Sequence, residues 1–239
     1  MSGRAIVTGA GSGIGAATVR RLLAQGWRVA CLDRNESAAR AVAGDQPVIA
    51  VDVADEAAVA EAIAAAESAL GGIDALATCA GIYDTTPFFD STAETFRRVH
   101  AVNVTGTFLC VREAARRMRP GGRICTVGSV AGLRGGGLAG TAAYATSKGA
   151  VMALSKSAAR ELGPRGIAVN CVAPGMIDTP FAAVPLANPE IRMRIEGMTS
   201  LHRLGTAEEI AEVIAWLLSP AAAYLHGSTV VADGGMVMQ

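Results

Sequence analysis

The chain lacks most of the features that mark metal, disulfide, nucleic-acid or membrane proteins. Its 239 residues include only two lysines against nineteen arginines, three histidines, three tyrosines and 4% aromatic residues. The five cysteines, Cys31, Cys79, Cys110, Cys125 and Cys171, form no C-x-x-C pair, and their number is odd. That argues against a zinc site or a disulfide framework. Most sit in or beside apolar strand-like runs, where cysteine packs as a small hydrophobe. His100, His202 and His226 are far apart and have no ligand-like neighbours. The formal net charge is zero, so no electrostatic footprint for nucleic acid or an anionic membrane is present. The pairs Arg97-Arg98 and Arg116-Arg117 read as solvated helix faces. No apolar run approaches the roughly 20 residues that span a bilayer, and the longest, "VIAWLLSPAAAYLHG", is broken by Pro220. "MSGRAIVTGAGSG" holds no apolar core of signal-peptide length. The expectation is a soluble, cytoplasmic protein.

What is present is 51% hydrophobic residue content, enough for a large core. Short apolar runs alternate with longer helical ones. Strand candidates are 4–8, 28–32, 47–51, 73–78, 123–127, 167–173 and 228–235. Helical spacing follows the first glycine turn to Gly26, fills 55–70, and runs from about 91 to Met118. It returns over 143–162 and from Thr206 to about Ser219. "STAE" at 91–94 has the capping-box form, as does "TAEE" at 206–209. The strands are continuously apolar, as strands buried on both faces are. A β-α-β-α alternation over the whole chain predicts one doubly wound, Rossmann-type α/β domain, 1–239, with a mostly parallel seven-stranded sheet. The irregular stretch 180–205 reads as a lid or substrate loop.

"AIVTGAGSGIGAATV" is a strand, a glycine-rich turn and a helix start. Gly9, Gly13 and Gly15, with Ser12 and Ile14 between them, have the spacing that lets a pyrophosphate approach backbone N–H groups at a helix end. The turn follows the first strand, and an acidic residue, Asp33, ends the second. A carboxylate there accepts hydrogen bonds from both adenosine ribose hydroxyls and repels a 2′-phosphate, which selects NAD over NADP. Arg34 beside it pulls the other way. Asp52, followed by Val53, ends the third strand, where it either accepts from the adenine amino group or caps the helix starting near Asp55. A second glycine-rich stretch, Gly135 to Gly137 with Gly140, also invites a phosphate reading. It follows no first strand and opens no such fingerprint, so it reads as a wall beside the substrate.

Tyr144 stands four residues before Lys148, so the two heads share one helix face. With so few tyrosines and lysines, the chance expectation of such a pair is about one in forty. In an arginine-rich chain, the lysine supplies a compact point charge. For tyrosine to act as a base near neutrality, its pKa must fall from about 10 to about 7, about 4 kcal/mol. A cation at about 4 Å supplies that order only in a partly buried cleft.

With these residues in view, the sequence resembles the classical short-chain dehydrogenases/reductases over essentially its full length. "TGAGSGIG" (8–15), "HAVNVTGTF" (100–108), "VGSVAG" (127–132), "YATSK" (144–148) and "NCVAPGMIDTP" (170–180) carry the likeness. The resemblance implies that Tyr144 exchanges a proton with the substrate oxygen and that Ser129 hydrogen-bonds that oxygen. It further implies that Lys148 lowers the tyrosine pKa and binds the nicotinamide ribose, and that Asn103 holds a relay water. Pro174, Gly175, Ile177 and Thr179 would orient the nicotinamide. It also implies a homotetramer, with 92–118 and 143–162 at the interface. Two departures stand out. Cys79-Ala80-Gly81 replaces the family's N-A-G, which questions the side-chain contacts at Cys79 but not the backbone approach at Ala80 and Gly81. The stretch between Ser129 and Tyr144 is about two residues longer than usual.

On the substrate side, Tyr83, Phe88, Phe89, Leu133, Leu138, Met176, Phe181 and Val184 favour a small molecule with an apolar part. No arginine is clearly placed for a carboxylate, with Arg134 left open. The expected function is NAD-dependent interconversion of a secondary alcohol and a ketone. "LHRLGTAEEIA" and the tail resemble the 3-oxoacyl-carrier-protein reductase branch, so a thioester reductase is the runner-up. A non-catalytic dinucleotide-binding module is the remote alternative.

Overall fold

The computed structural model describes residues 3–136 and 141–238, with the side chains of Val184 and Pro185 set aside. The chain opens with β1 (Arg4–Thr8), α1 (Gly13–Ala24), β2 (Arg28–Asp33), α2 (Glu36–Ala43), β3 (Val48–Ala50), α3 (Glu56–Leu70) and β4 (Ala75–Thr78). Then follow α4 (Ala93–His100), a π-helical segment (Ala101–Gly106), α5 (Thr107–Arg117), β5 (Arg123–Val127), α6 (Ala131–Arg134), α7 (Ala142–Leu162) and β6 (Ala168–Pro174). The last part holds α8 (Ala183–Leu186), α9 (Pro189–Glu196), α10 (Ala207–Leu217) and β7 (Thr229–Ala232).

The seven strands form one sheet in the order β3-β2-β1-β4-β5-β6-β7, and each adjacent pair is parallel. The expected "mostly parallel" sheet is parallel throughout among the described residues. Its residues divide by the two-residue period of the strand. Ile6, Leu32, Leu76, Ile124 and Val169 face α3, α5 and α7, packing on Ile63, Leu70 and Leu109. Val7, Val29, Cys31, Ala77 and Cys125 face α1 and α10, packing on Leu22, Ile210, Ile214 and Leu217. Two covered faces explain why the strands read as unbroken apolar runs. The strand order reverses direction at β1 and β4, and such a switch point opens a crevice at the carboxyl ends of the strands.

Several boundaries differ from the sequence reading. The N-cap of α4 is Thr92, not Ser91; its side chain accepts from the Thr95 amide at 3.1 Å. Glu94 therefore sits at the second helical position, where it pairs with Arg97 instead of closing a box. The box at Thr206 and Glu209 does form. The long helix to Met118 is interrupted by the π segment around Asn103. The stretch 180–205 is less irregular than its sequence suggests, since it folds into α8 and α9. The arginine pairs are not simply solvated. Arg112, Arg116 and Arg117 converge on the buried carboxylate of Glu113, and Arg98 reaches Asp84 at 3.1 Å.

Candidate active site

The crevice at the switch point is lined at one end by the glycine turn. Gly9 and Gly13 have positive φ, +67° and +50°. A Cβ on Gly9 would lie 2.7 Å from the Ala80 amide nitrogen, and one on Gly15 would overlap the carbonyl oxygen of Gly9. The turn is closed because two backbone segments touch, and only glycine permits that. Ser12, the N-cap of α1, makes no side-chain cap hydrogen bond. The first-turn amides of α1 therefore have no capping side chain, a donor set that fits a pyrophosphate.

Asp33 closes β2 beside the turn. Its Oδ2 accepts from the Gly11 amide and its Oδ1 from the Asn35 amide, each at 2.8 Å. Arg34, Asp52 and Val53 complete this end of the cleft. The alternative role for Asp52 falls away. Asp55 caps α3 through the Ala58 amide, while Asp52 accepts from Ala54 at 2.9 Å. Cys79, Ala80 and Gly81 also line the cleft. The backbone there is held without an asparagine: Cys79 donates to the Thr8 carbonyl and Ala80 to the Thr8 hydroxyl, both at 3.2 Å. Burial pushes the Cys79 thiol up to about 12, against a hydrogen bond with Thr18 and the charge of Lys148. It is inert as a nucleophile near neutrality.

The middle of the cleft gathers Ser129, Tyr144 and Lys148. Ser129 follows β5, and its Oγ accepts from the Ala131 amide at 3.1 Å. Tyr144 and Lys148 lie one turn apart on α7, with Nζ 5.8 Å from the tyrosine ring centroid. Lys148 is buried and donates to the Val127 carbonyl at 2.8 Å. The electrostatics depart from expectation. Burial pushes the Tyr144 hydroxyl up to about 12, and the hydrogen bond with Ser129 recovers only part of that. Burial also pulls Lys148 down to about 8. In the protein alone, desolvation dominates at both groups, so the Tyr144 hydroxyl holds its proton.

Asn103 is fully buried and, unlike the others, does not line the cleft. Its Oδ1 accepts from the Ile82 amide at 2.8 Å, and its Nδ2 donates to the Ile82 carbonyl and the Ser147 hydroxyl, both at 3.0 Å. Both amide donors are thus engaged. A Cβ on Gly81 would lie 3.3 Å from that Oδ1 and 3.6 Å from Lys148 Nζ, so Asn103 braces the floor beneath the lysine. Pro174, Gly175, Ile177 and Thr179 line the side formed by β6 and the turn after it.

The cleft around Tyr144 is aromatic and aliphatic. Tyr83 meets Tyr144 edge-on at 4.9 Å between centroids, and Phe181 closes the group at 5.6 and 5.9 Å. Met176 also lines the wall. Phe88 and Phe89 do not; they pack on each other, 72% and 99% exposed. Leu133 is exposed and outside the cleft. Leu138 and the Val184 side chain lie outside the described residues, as do Gly137 and Gly140. Ile82, Ile195, Met198 and Met236 line the wall without having been anticipated. Ile82 follows Gly81 in the segment after β4; the other three come from α9, the turn after it and the segment beyond β7, regions where no spacing links them to Tyr144. Arg134 and Gly136 edge the same wall.

Comparison with known proteins agrees with this architecture. Residues 9–237 match the family model described as enoyl-(acyl carrier protein) reductase. The chain is 40% identical to the short-chain reductase protein NovJ of Streptomyces niveus, covering 97% of this chain and 92% of that protein. It is also 40% identical to 2-(R)-hydroxypropyl-CoM dehydrogenase of Xanthobacter autotrophicus, covering 98% of each. A short-chain dehydrogenase from Burkholderia cenocepacia, solved in complex with NADP, superposes with a TM-score of 0.90 at 34% identity, covering 98% of this chain and 97% of that one.

Proposed function

The chain belongs to the short-chain dehydrogenase/reductase family, and from that premise we propose that it interconverts a secondary alcohol and a ketone with NAD as cofactor. The observation that carries the reading is the convergence of Ser129, Tyr144 and Lys148 in one cleft with the glycine turn and Asp33. A nicotinamide cofactor supplies or takes the hydride. The chain's own residues manage the proton and the position of the reacting groups.

In the reduction direction, Tyr144 gives its proton to the carbonyl oxygen while Ser129 hydrogen-bonds the same oxygen. A hydroxyl held near 12 is protonated across the physiological range, so the acid is always loaded. In the oxidation direction the same group must lose that proton, and the Lys148 ammonium stabilises the phenolate. Asn103 acts behind them: its side chain fixes the Ile82 backbone, and the residue holds the water of a proton relay to solvent. The uncapped first turn of α1 takes the pyrophosphate, with Thr179 across from Gly13, 3.6 Å from a Cβ built there. Pro174, Gly175 and Ile177 flank the nicotinamide. Asp33 selects against a 2′-phosphate, Arg34 being the counterweight. Residues 180–205 serve as the substrate lid of a single domain, and the faces of 92–118 and 143–162 pair copies into a tetramer.

A panel of secondary alcohols, ketones and 3-oxoacyl thioesters, read by nicotinamide absorbance, separates this reading from the thioester reductase. Tyr144→Phe is expected to lower kcat by at least about a thousandfold with NAD affinity unchanged. Retained turnover would remove Tyr144 as the acid. Titration with both cofactors is expected to show NAD bound at least about tenfold tighter; equal binding would remove the role given to Asp33.

A further inference from the structure

The charges around the cleft are distributed unevenly. Among the described residues that line it, the carboxylates are Asp33 and Asp52, both at the adenosine end. Arg34 sits with them. The substrate end carries no carboxylate among those residues but does carry a guanidinium, Arg134. The other nearby cation, Lys148, is buried and committed to the Val127 carbonyl. Arg134 is different. Most arginines of this chain are tied down, for example Arg4 to Asp74, Arg112 to Glu56 and Arg203 to Glu209. Arg134 shares no hydrogen bond or ion pair through its side chain with any described residue.

Its position is fixed all the same. The Arg134 amide donates to the Val130 carbonyl at 3.0 Å, and Gly135 ends α6 in the left-handed region. A Cβ on Gly132 would come within 2.5 Å of the Gly149 amide, so α6 is pressed against α7, the helix that bears Tyr144. The wall that begins at Ser129 and ends at Tyr144 thus holds a forked cation with no partner among the described residues. The same cleft is lined by apolar side chains, among them Tyr83, Phe181, Met176 and Met236. An apolar slot with one cation at its edge is complementary to a short ketone or alcohol with an anionic end.

We propose that the substrate carries a carboxylate, sulfonate or phosphate, and that Arg134 binds this group and sets the enzyme's preference for it. The proposal rests on the oxidoreductase reading above and names its substrate class. Arg134 has no part in the proton transfer. It selects by position, and an exposed guanidinium contributes mainly to binding, so its effect falls on KM and not on kcat.

The test compares levulinate, its sulfonate analogue and methyl propyl ketone in the wild-type protein, Arg134→Met and Arg134→Lys. The wild type is expected to favour the anionic ketones over the neutral one by about tenfold or more in kcat/KM. Arg134→Met is expected to erase that ratio through KM, and Arg134→Lys to keep part of it. Calorimetric binding of levulinate to the NAD+-loaded protein provides a readout that does not depend on turnover. Binding by the wild type that is lost in Arg134→Met supports the proposal even if no ketone is reduced, in which case only the oxidoreductase reading fails. Turnover of methyl propyl ketone with no anionic preference, or a preference that survives Arg134→Met, overturns the proposal and leaves the reaction class standing. Loss of NAD affinity in Arg134→Met also overturns it, because the guanidinium would then belong to the cofactor.

Discussion

The turn from Gly9 to Gly15 and the run from Gly132 to Gly136 both border the same cleft, yet they use glycine differently. In the first, the requirement is space. Gly9 must pass close to Ala80, and Gly15 must sit against the Gly9 carbonyl. In the second, space matters at Gly132, where α6 meets α7, while a Cβ on Gly135 meets nothing within 4 Å. Gly135 and Gly136 are needed for conformation, with φ of +75° and +105°. The shape of the first turn is the one proposed to cradle the cofactor. The second is a connector that carries Arg134 to the rim. A glycine count cannot separate the two; the neighbours of each missing Cβ do.

The largest effect is expected at Gly15. Gly15→Ala drives a methyl group into the Gly9 carbonyl, and neither backbone segment can yield without opening the turn. The change is expected to lower stability by several kcal/mol, of the order seen for overpacked or strained sites. Cofactor affinity should fall below detection, measured by calorimetry beside a thermal melt. Normal NAD affinity in this variant would erase the distinction between cradle and connector.

A smaller effect is expected where the two halves of the cleft meet. Phe181→Ala removes one ring from the group with Tyr83 and Tyr144. Because Phe181 is partly exposed, the loss in the folded state is modest, about 1 kcal/mol from the aromatic contacts. The variant is expected to raise KM for an apolar ketone severalfold with NAD affinity unchanged, seen in initial rates at saturating cofactor. A matching loss of NAD affinity would mean the two halves are not separable.

The half of the cleft proposed for the cofactor was legible in the sequence as a shape, and the reason is physical. Its walls are backbone, and a backbone that must turn or approach closely leaves a glycine signature at fixed spacing, as at 9, 13 and 15. Tyr144 and Lys148 were legible because one helix turn joins them. The seven strands and their burial followed from unbroken apolar runs. The substrate half was not legible to the same degree. Ile195, Met198 and Met236 reach the wall from distant segments, and any apolar residue serves there. Phe88 and Phe89 looked like wall residues by type, but the loop that holds them turns outward. The direction of the Tyr144 pKa also escaped the sequence. Residue types told of a neighbouring cation, but only burial told how strongly water is excluded from both groups.

The smallest effect on ligand binding is expected at Gly136, and it sharpens the comparison most. Its φ of +105° lies in a region that alanine rarely adopts, so Gly136→Ala carries a strain of about 1–2 kcal/mol. That strain is local. The Gly136 amide donates to the Ala131 carbonyl at 2.9 Å, so the cost falls on the end of α6 and on the position of Arg134. The Gly9–Gly15 turn has its own supports at Ala80 and Asp33 and shares no contact of this kind with Gly136. NAD affinity is therefore expected to match the wild type, while the melting temperature drops by about 2–8 °C for that strain in a domain of this size. A large fall in NAD affinity with little loss of stability would reverse the assignment. It would make the second glycine run a phosphate cradle and leave the first to share that work.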